Sequence, residues 1–266
     1  MSPGSENDPS ELPRRKSEHL ALCATDGVAF RAKRTLFEEV DLVHCALPEL
    51  ALDEIDLSTE LLGKTLRAPI VISSMTGGTS EAAAVSRDLA RVAERLGLGF
   101  GVGSQRAMAV APDVAWTFDV RDVAPNVLLF GNLGLVQARD MPTRAVRELC
   151  DRIGADALCL HLNPAMELVQ AGGDRDFRRG RETLARLASE LGIPIVVKET
   201  GAGLSRAVGR SVRELGIGAV DVSGAGGTSW VGVEATRAED ARARMVGEVL
   251  WDWGVPTAAS VASAAE

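Results

Sequence analysis

Lys198 is the residue hardest to explain by packing alone. It follows the apolar run Ile195-Val196-Val197 and precedes Glu199. An ammonium at the end of a buried run is costly unless an anion or partner compensates it. A pair with Glu199 or Asp221 meets that need as well as a ligand does. His161, Asn163 and Glu167 follow another apolar run and could form an acid-base or ligand cluster, although a lone histidine there is more often a satisfied core residue. Glu167 alone is not a metal site, but it could hold Mg²⁺ if phosphate oxygens of a ligand completed the shell. Arg14-Arg15-Lys16 could grip a phosphate, and composition alone favours a solvated basic patch. Thr76-Gly77-Gly78 and Gly224-Ala225-Gly226-Gly227-Thr228-Ser229 could bring backbone N–H groups against a flat ring or a phosphate, because glycine has no Cβ in the way.

These residues are spaced by a repeating rhythm. Apolar runs at 68–75, 98–102, 127–130, 157–162, 195–197 and 219–222 read as strands buried on both faces. Between them lie helical stripes: Val85, Leu89, Val92 and Leu96 closed by Gly97; Ala145, Leu149 and Ile153 before Gly154; and Leu204, Ala207, Val208, Val212 and Leu215 before Gly216. Helices are also expected over 113–123 and 177–191. The stretch 193–230 is thus a β-α-β unit with a right-handed crossover. Each strand ends in Gly, Ser, Asn, His or Lys, which favours a TIM-type (β/α)8 barrel over a doubly wound sheet. Six of eight βα units are present, with Pro256 suiting the first turn of a sixth helix, so the expected fold is an incomplete α/β barrel over residues 68–266. Residues 1–13 read as a disordered tail and residues 14–67 as an N-terminal cap of loops and short strands.

Bulk properties exclude several functions. The chain has 266 residues, 46% of them hydrophobic, which is enough for one large α/β domain. A net charge of −8 argues against nucleic acid. Cys23, Cys45, Cys150 and Cys159 are far apart, as reduced cytoplasmic thiols would be. Neither a signal peptide nor a membrane-spanning run is evident.

Taken together, several stretches resemble the FMN-dependent type 2 isopentenyl-diphosphate isomerase family. They are Arg15-Lys16-Ser17-Glu18-His19-Leu20, Ser74-Met75-Thr76-Gly77-Gly78, Gly103-Ser104-Gln105-Arg106, Gly131-Asn132-Leu133-Gly134, His161-Leu162-Asn163-Pro164, Val197-Lys198-Glu199, Val222 to Trp230, and Asp252-Trp253-Gly254. The resemblance implies isomerisation of isopentenyl diphosphate to dimethylallyl diphosphate with reduced FMN, NADPH as reductant and Mg²⁺, and no net redox change. It implies a TIM barrel, a cytoplasmic homo-oligomer, a small diphosphate substrate, and neither nucleic acid nor membrane as partner. Met75, Thr76, Gly77, Ser104, Asn132, Lys198, Ser223 and Thr228 would hold FMN. Arg15, Lys16, Arg106, His161, Asn163 and Trp230 would face the substrate, Glu167 would bind Mg²⁺, and Lys198 and His161 would be catalytic. In such barrels the loops after strands seven and eight hold the cofactor phosphate, so six units imply weak FMN binding. The family usually has glutamine where this chain has Met166, and a thioether cannot donate a proton. The alternatives are another FMN-dependent barrel oxidoreductase and a non-catalytic remnant.

Overall fold

The computed structural model of the protein describes residues 11–266. Residues 1–10 of the tail expected over 1–13 lie outside them; residues 11–13 instead open a helix that runs on into the cap, where loops and short strands were expected. The N-terminal part holds helix α1 (Glu11–Cys23) and the antiparallel hairpin of β1 (Thr59–Leu61) and β2 (Lys64–Leu66). Six strands follow: β3 (Val71–Ile72), β4 (Gly99–Gly101), β5 (Leu128–Gly134), β6 (Ala157–Leu162), β7 (Ile195–Glu199) and β8 (Ala219–Asp221). They form one sheet in chain order, with every neighbouring pair parallel. Between and after them run α2 (Ser80–Leu96), α3 (Arg106–Val110), α4 (Leu135–Arg139), α5 (Thr143–Arg152), α6 (Pro164–Val169), α7 (Gly180–Glu190), α8 (Arg206–Glu214), α9 (Trp230–Arg237), α10 (Ala241–Leu250) and α11 (Thr257–Ala265).

The two-residue period of a strand assigns each side chain to a face. Phe100, Leu129, Leu158, Leu160, Ile195 and Val197 point outward and pack under the helices. Leu128, Phe130, Ala157, Cys159 and Val196 point inward, where Leu61, Leu62 and Leu66 of the hairpin plug the N-terminal end. The sheet is curled: the Ser73 hydroxyl, just past β3, donates to Asp221 Oδ2 at the end of β8 across 3.1 Å. Parallel register places Gly134, His161, Lys198 and Asp221 in one row at the C-terminal ends of β5 to β8.

Four local expectations change. Residues 131–134, expected as a loop, continue β5, because Gln105 Oε1 accepts from the Asn132 N–H at 3.1 Å and Gly131 leaves room for that side chain. The strand expected over 68–75 is paired only at Val71–Ile72. The helix expected over 113–123 is a 3₁₀ stretch, Pro112–Phe118, opened by its proline. In α2 the buried face is Ala82, Ala83, Ser86, Ala90 and Ala93, not the expected valine-leucine stripe. Both stripes have helical spacing; the alanines face inward because small side chains let the helix lie close to the strands, leaving Val85, Leu89 and Leu96 exposed.

Candidate active site at the C-terminal ends of the strands

Strand ends and loops converge on a cavity of about 130 Å³. Of the residues singled out from sequence, Arg15, Lys16, Met75, Ser104, Arg106, Asn132, His161, Asn163, Glu167, Lys198 and Trp230 all border it. Thr76, Gly77, Ser223 and Thr228 lie outside that lining, in the turns beneath and beside it.

Lys198 is buried at the end of β7. Its Nζ donates to the Ser223 hydroxyl and to the Glu199 carbonyl oxygen, each at 2.6 Å, and stands 3.6 Å from Asp221 Oδ2. Asp221 is therefore its nearest carboxylate. The Glu199 carboxylate turns away and caps the next turn, accepting from the N–H groups of Thr200, Gly201 and Ala202. Burial raises the Glu199 pKa, with those three N–H groups opposing. Asp221 also fixes the loop beyond β8: its Oδ1 accepts from the Ser223 N–H and hydroxyl at 3.1 and 3.0 Å. Ser223 is held at φ +36°, a left-handed conformation that a serine adopts only under such constraint.

His161 Nδ1 is 2.9 Å from Asn132 Oδ1, to which its N–H donates, leaving Nε2 toward the cavity. Its pKa falls to about 3, through burial first and then the nearby charges of Lys198, Lys16 and Arg106. The ring is therefore neutral at pH 7. Asn132 is held in turn by Gln105, whose N–H donates to the Asn132 carbonyl at 2.7 Å and whose Nε2 donates to Leu149 O at 2.7 Å.

Opposite the strand ends stands α1, carrying Arg15 and Lys16. Burial and the charges of Arg15 and Arg106 lower the Lys16 pKa to about 8, against a smaller opposing effect of Glu234. Three cations crowd one cavity, an arrangement that calls for an anion. The helix is tied down by buried contacts. His19 Nε2 donates to Glu234 Oε1 on α9 at 2.7 Å, and the His19 ring meets Trp230 edge-on with centroids 5.2 Å apart. Arg237 bridges the two helices, donating to Glu234 Oε2 at 2.6 Å and to Glu18 Oε2 at 2.7 Å. Burial lowers the His19 pKa despite Glu234. For Glu234 burial acts upward, but the hydrogen bond and charge of His19 with the charge of Arg237 bring it below its usual value.

Sequence reasoning gave no role to Glu234, Arg237 or Gln105. Each acts through another residue, and none is flagged by its own neighbours in sequence. Gln137, which lines the cavity and donates to Asp174 at 2.7 Å, was also missed.

The cavity floor fits a flavin. The Thr76 hydroxyl is buried with no hydrogen-bond partner among the described residues. A Cβ at Gly103 would overlap the Thr76 carbonyl, and one at Gly77 would overlap the Phe118 ring, so these turns tolerate no side chain. The glycine loop 224–227 is pinned on both sides: Gly226, at φ +124°, packs against the Thr35 backbone, and Phe30 N–H donates to Gly227 O at 2.9 Å. For a metal the fit is narrower. Glu167 is buried, and its oxygens accept from Asn163 Nδ2 at 2.7 Å and from the Asp174 N–H at 2.8 Å. Among the described residues no group of three His, Cys, Asp or Glu is placed to hold a metal. Glu167 can therefore serve as a single anchor, with a ligand and water supplying the rest.

Comparison with known proteins supports this geometry. Residues 9–163 match the family described as FMN-dependent dehydrogenase. The chain is 49% identical over 253 residues to the isopentenyl-diphosphate delta-isomerase of Synechococcus sp., covering 95% of this chain and 73% of that protein. It is 47% identical over 249 residues to the protein of the same name from Stutzerimonas stutzeri, covering 93% and 72%. The recombinant flavin-binding domain of baker's yeast flavocytochrome b2 shares the fold, with a TM-score of 0.53 at 17% identity, over 84% of this chain and 59% of that one. With about half its residues identical to such relatives over nearly its whole length, the chain belongs to the isopentenyl-diphosphate delta-isomerase family, within the FMN-dependent dehydrogenases.

Proposed function

We propose that the protein isomerises isopentenyl diphosphate to dimethylallyl diphosphate with reduced FMN and Mg²⁺, using NADPH only to reduce the flavin. The observation that carries this reading is the meeting, in one cavity, of Arg15, Lys16 and Arg106 with Lys198, His161 and Asn132 at the strand ends. Three cations lining one cavity suit a diphosphate, which an acidic chain would otherwise repel.

Thr76, Ser104, Asn132 and the 223–228 loop would hold FMN, with Met75 and Gly77 against the ring. Reduced FMN, when bound, supplies a proton donor and acceptor at N5. Lys198 has its ammonium aimed by Ser223 and a carbonyl, so it stabilises negative charge without reorganising. His161 is neutral before substrate arrives. Burial is the largest cause of its lowered pKa, so the ring stays neutral and its Nε2 is an acceptor toward the cavity. Glu167, its carboxylate held by Asn163 Nδ2 at 2.7 Å, would hold Mg²⁺, which would supply positive charge toward a diphosphate. Trp230 walls the alkene end, its ring fixed against His19, and its face tolerates developing positive charge.

The test is anaerobic incubation with FMN, NADPH, Mg²⁺ and isopentenyl diphosphate. Catalytic turnover to dimethylallyl diphosphate with NADPH used only for priming supports the reading. Oxidation of reductant in step with product would instead fit an oxidoreductase, the reading that the name of the matched family favours.

A further inference from the structure

The Lys198 ammonium has three N–H donors and no acceptor. Two of the donors are taken, one by the Glu199 carbonyl oxygen and one by the Ser223 hydroxyl oxygen, each at 2.6 Å. Asp221 Oδ2, at 3.6 Å, is too far to accept the third. Because the ammonium is tetrahedral, two fixed N–H directions fix the remaining one. Lys198 borders the cavity, whereas Asp221 and Ser223 do not. The remaining N–H is therefore the one a ligand can use, and its aim depends on what holds the two acceptors. The Glu199 carbonyl is fixed by the backbone of β7. The Ser223 hydroxyl can rotate unless another group takes its proton.

Asp221 takes that proton. The Ser223 hydroxyl stands 3.0 Å from Asp221 Oδ1. A carboxylate only accepts, so the hydroxyl donates to Asp221 and presents a lone pair to Lys198. The Ser223 N–H donates to the same oxygen at 3.1 Å, and the two bonds hold the residue at its φ of +36°. The other carboxylate oxygen accepts from the Ser73 hydroxyl at 3.1 Å, which keeps the carboxylate from turning. Asp221 thus ties the end of β8 to the lysine of β7 and to the segment that leads, two residues after Ser73, into Met75-Thr76-Gly77. Its separation from Nζ makes it a poor ion-pair partner, while its bonds to Ser223 are well formed. The carboxylate therefore acts on the lysine through the hydroxyl.

We propose that Asp221 is a positioning residue: through the Ser223 hydroxyl it aims the Lys198 ammonium, leaving one N–H free for the cavity. A donor aimed before the ligand arrives needs no reorganisation when charge develops beside it. That this charge belongs to a reduced flavin rests on the function proposed above; the aiming itself does not.

The first arm of the test needs no flavin. The chain has four lysines, Lys16, Lys33, Lys64 and Lys198, so isotopic labelling of lysine nitrogen gives few ammonium signals by NMR, and Lys198→Ala identifies the relevant one. Hydrogen exchange at the Lys198 ammonium should quicken about tenfold or more in Asp221→Ala, the scale of losing a hydrogen bond to a charged group. It should change by less than about threefold in Asp221→Asn, which keeps an oxygen for Ser223 and offers Ser73 an N–H. If the alanine variant does not fold, Asp221→Thr replaces it, since a β-branched residue suits the strand. In the second arm, FMN affinity is read by quenching of flavin fluorescence. Asp221→Ala should weaken it about fivefold or more in the parent chain and less than about twofold in the Lys198→Ala background, because residues acting as one unit do not add. Unchanged exchange in Asp221→Ala would overturn the proposal. Exchange as fast in Asp221→Asn as in Asp221→Ala would overturn it too, by showing that charge alone is at work, and so would an equal loss of FMN affinity in both backgrounds. A parent chain that binds no FMN would defeat the proposed function, while the exchange arm still decides this inference.

Discussion

Lys198 and Lys16 are both cations in one cavity, but they are solvated differently and should fail differently. Lys198 has two hydrogen-bond acceptors and a carboxylate at 3.6 Å, so its position survives without ligand. Lys198→Ala is expected to lower kcat about 10²–10³-fold, the range for losing one preorganised charge-stabilising donor, with little change in the affinity for inorganic pyrophosphate measured by calorimetry. Lys16 instead awaits its anion, with a pKa lowered to about 8. A bound diphosphate favours its charged form. Pyrophosphate affinity should therefore be highest below pH 8 and fall as pH rises past it, with proton uptake on binding above that pH; Lys16→Met should remove this dependence. At position 166, Met166 Sδ sits 3.9 Å from Asn163 Nδ2 and lines the cavity. Met166→Gln restores a donor there and should raise kcat if an amide assists proton movement. An unchanged kcat would show that the flavin suffices.

At the scale of elements, α1 is only as well placed as its attachment to α9. Arg237, half-buried, pairs with Glu18 and Glu234, and removing it leaves Glu234 without its guanidinium partner. Arg237→Gln should weaken pyrophosphate binding several-fold and speed amide exchange in α1, while leaving exchange in β5 to β7 unchanged. The glycine loop is a second such joint. Gly226→Ala would force a Cβ into the Thr35 backbone at φ +124°, which should cost about 1–3 kcal/mol, read as a lower urea midpoint. How far the elements were legible follows from the forces involved. The strands of the inner sheet were legible because parallel strands are apolar throughout, as at Leu158 to Leu160. The residues at their ends were legible because a lysine or histidine there is costly and needs a reason. The buried face of α2 was not, since two apolar stripes share one period and only tertiary contact chooses between them. Nor was the His19–Glu234–Arg237 network, whose members are 215 residues apart in sequence at the first link.

For the molecule as a whole, a curled six-stranded sheet gathers a neutral histidine, a fixed lysine and a cationic helix at one end, and leaves apolar edges at its side. The gathered end resembles an anion-binding active site. No described helix is long and apolar enough to cross a membrane, and all four cysteines are free. Reduction chemistry and isomerisation can be told apart at this scale by counting molecules. The decisive measurement is the ratio of dimethylallyl diphosphate formed to NADPH oxidised, under anaerobic conditions with saturating FMN and Mg²⁺. Many product molecules per NADPH are expected. A ratio of one, or NADPH oxidation with no dimethylallyl diphosphate, would contradict the account.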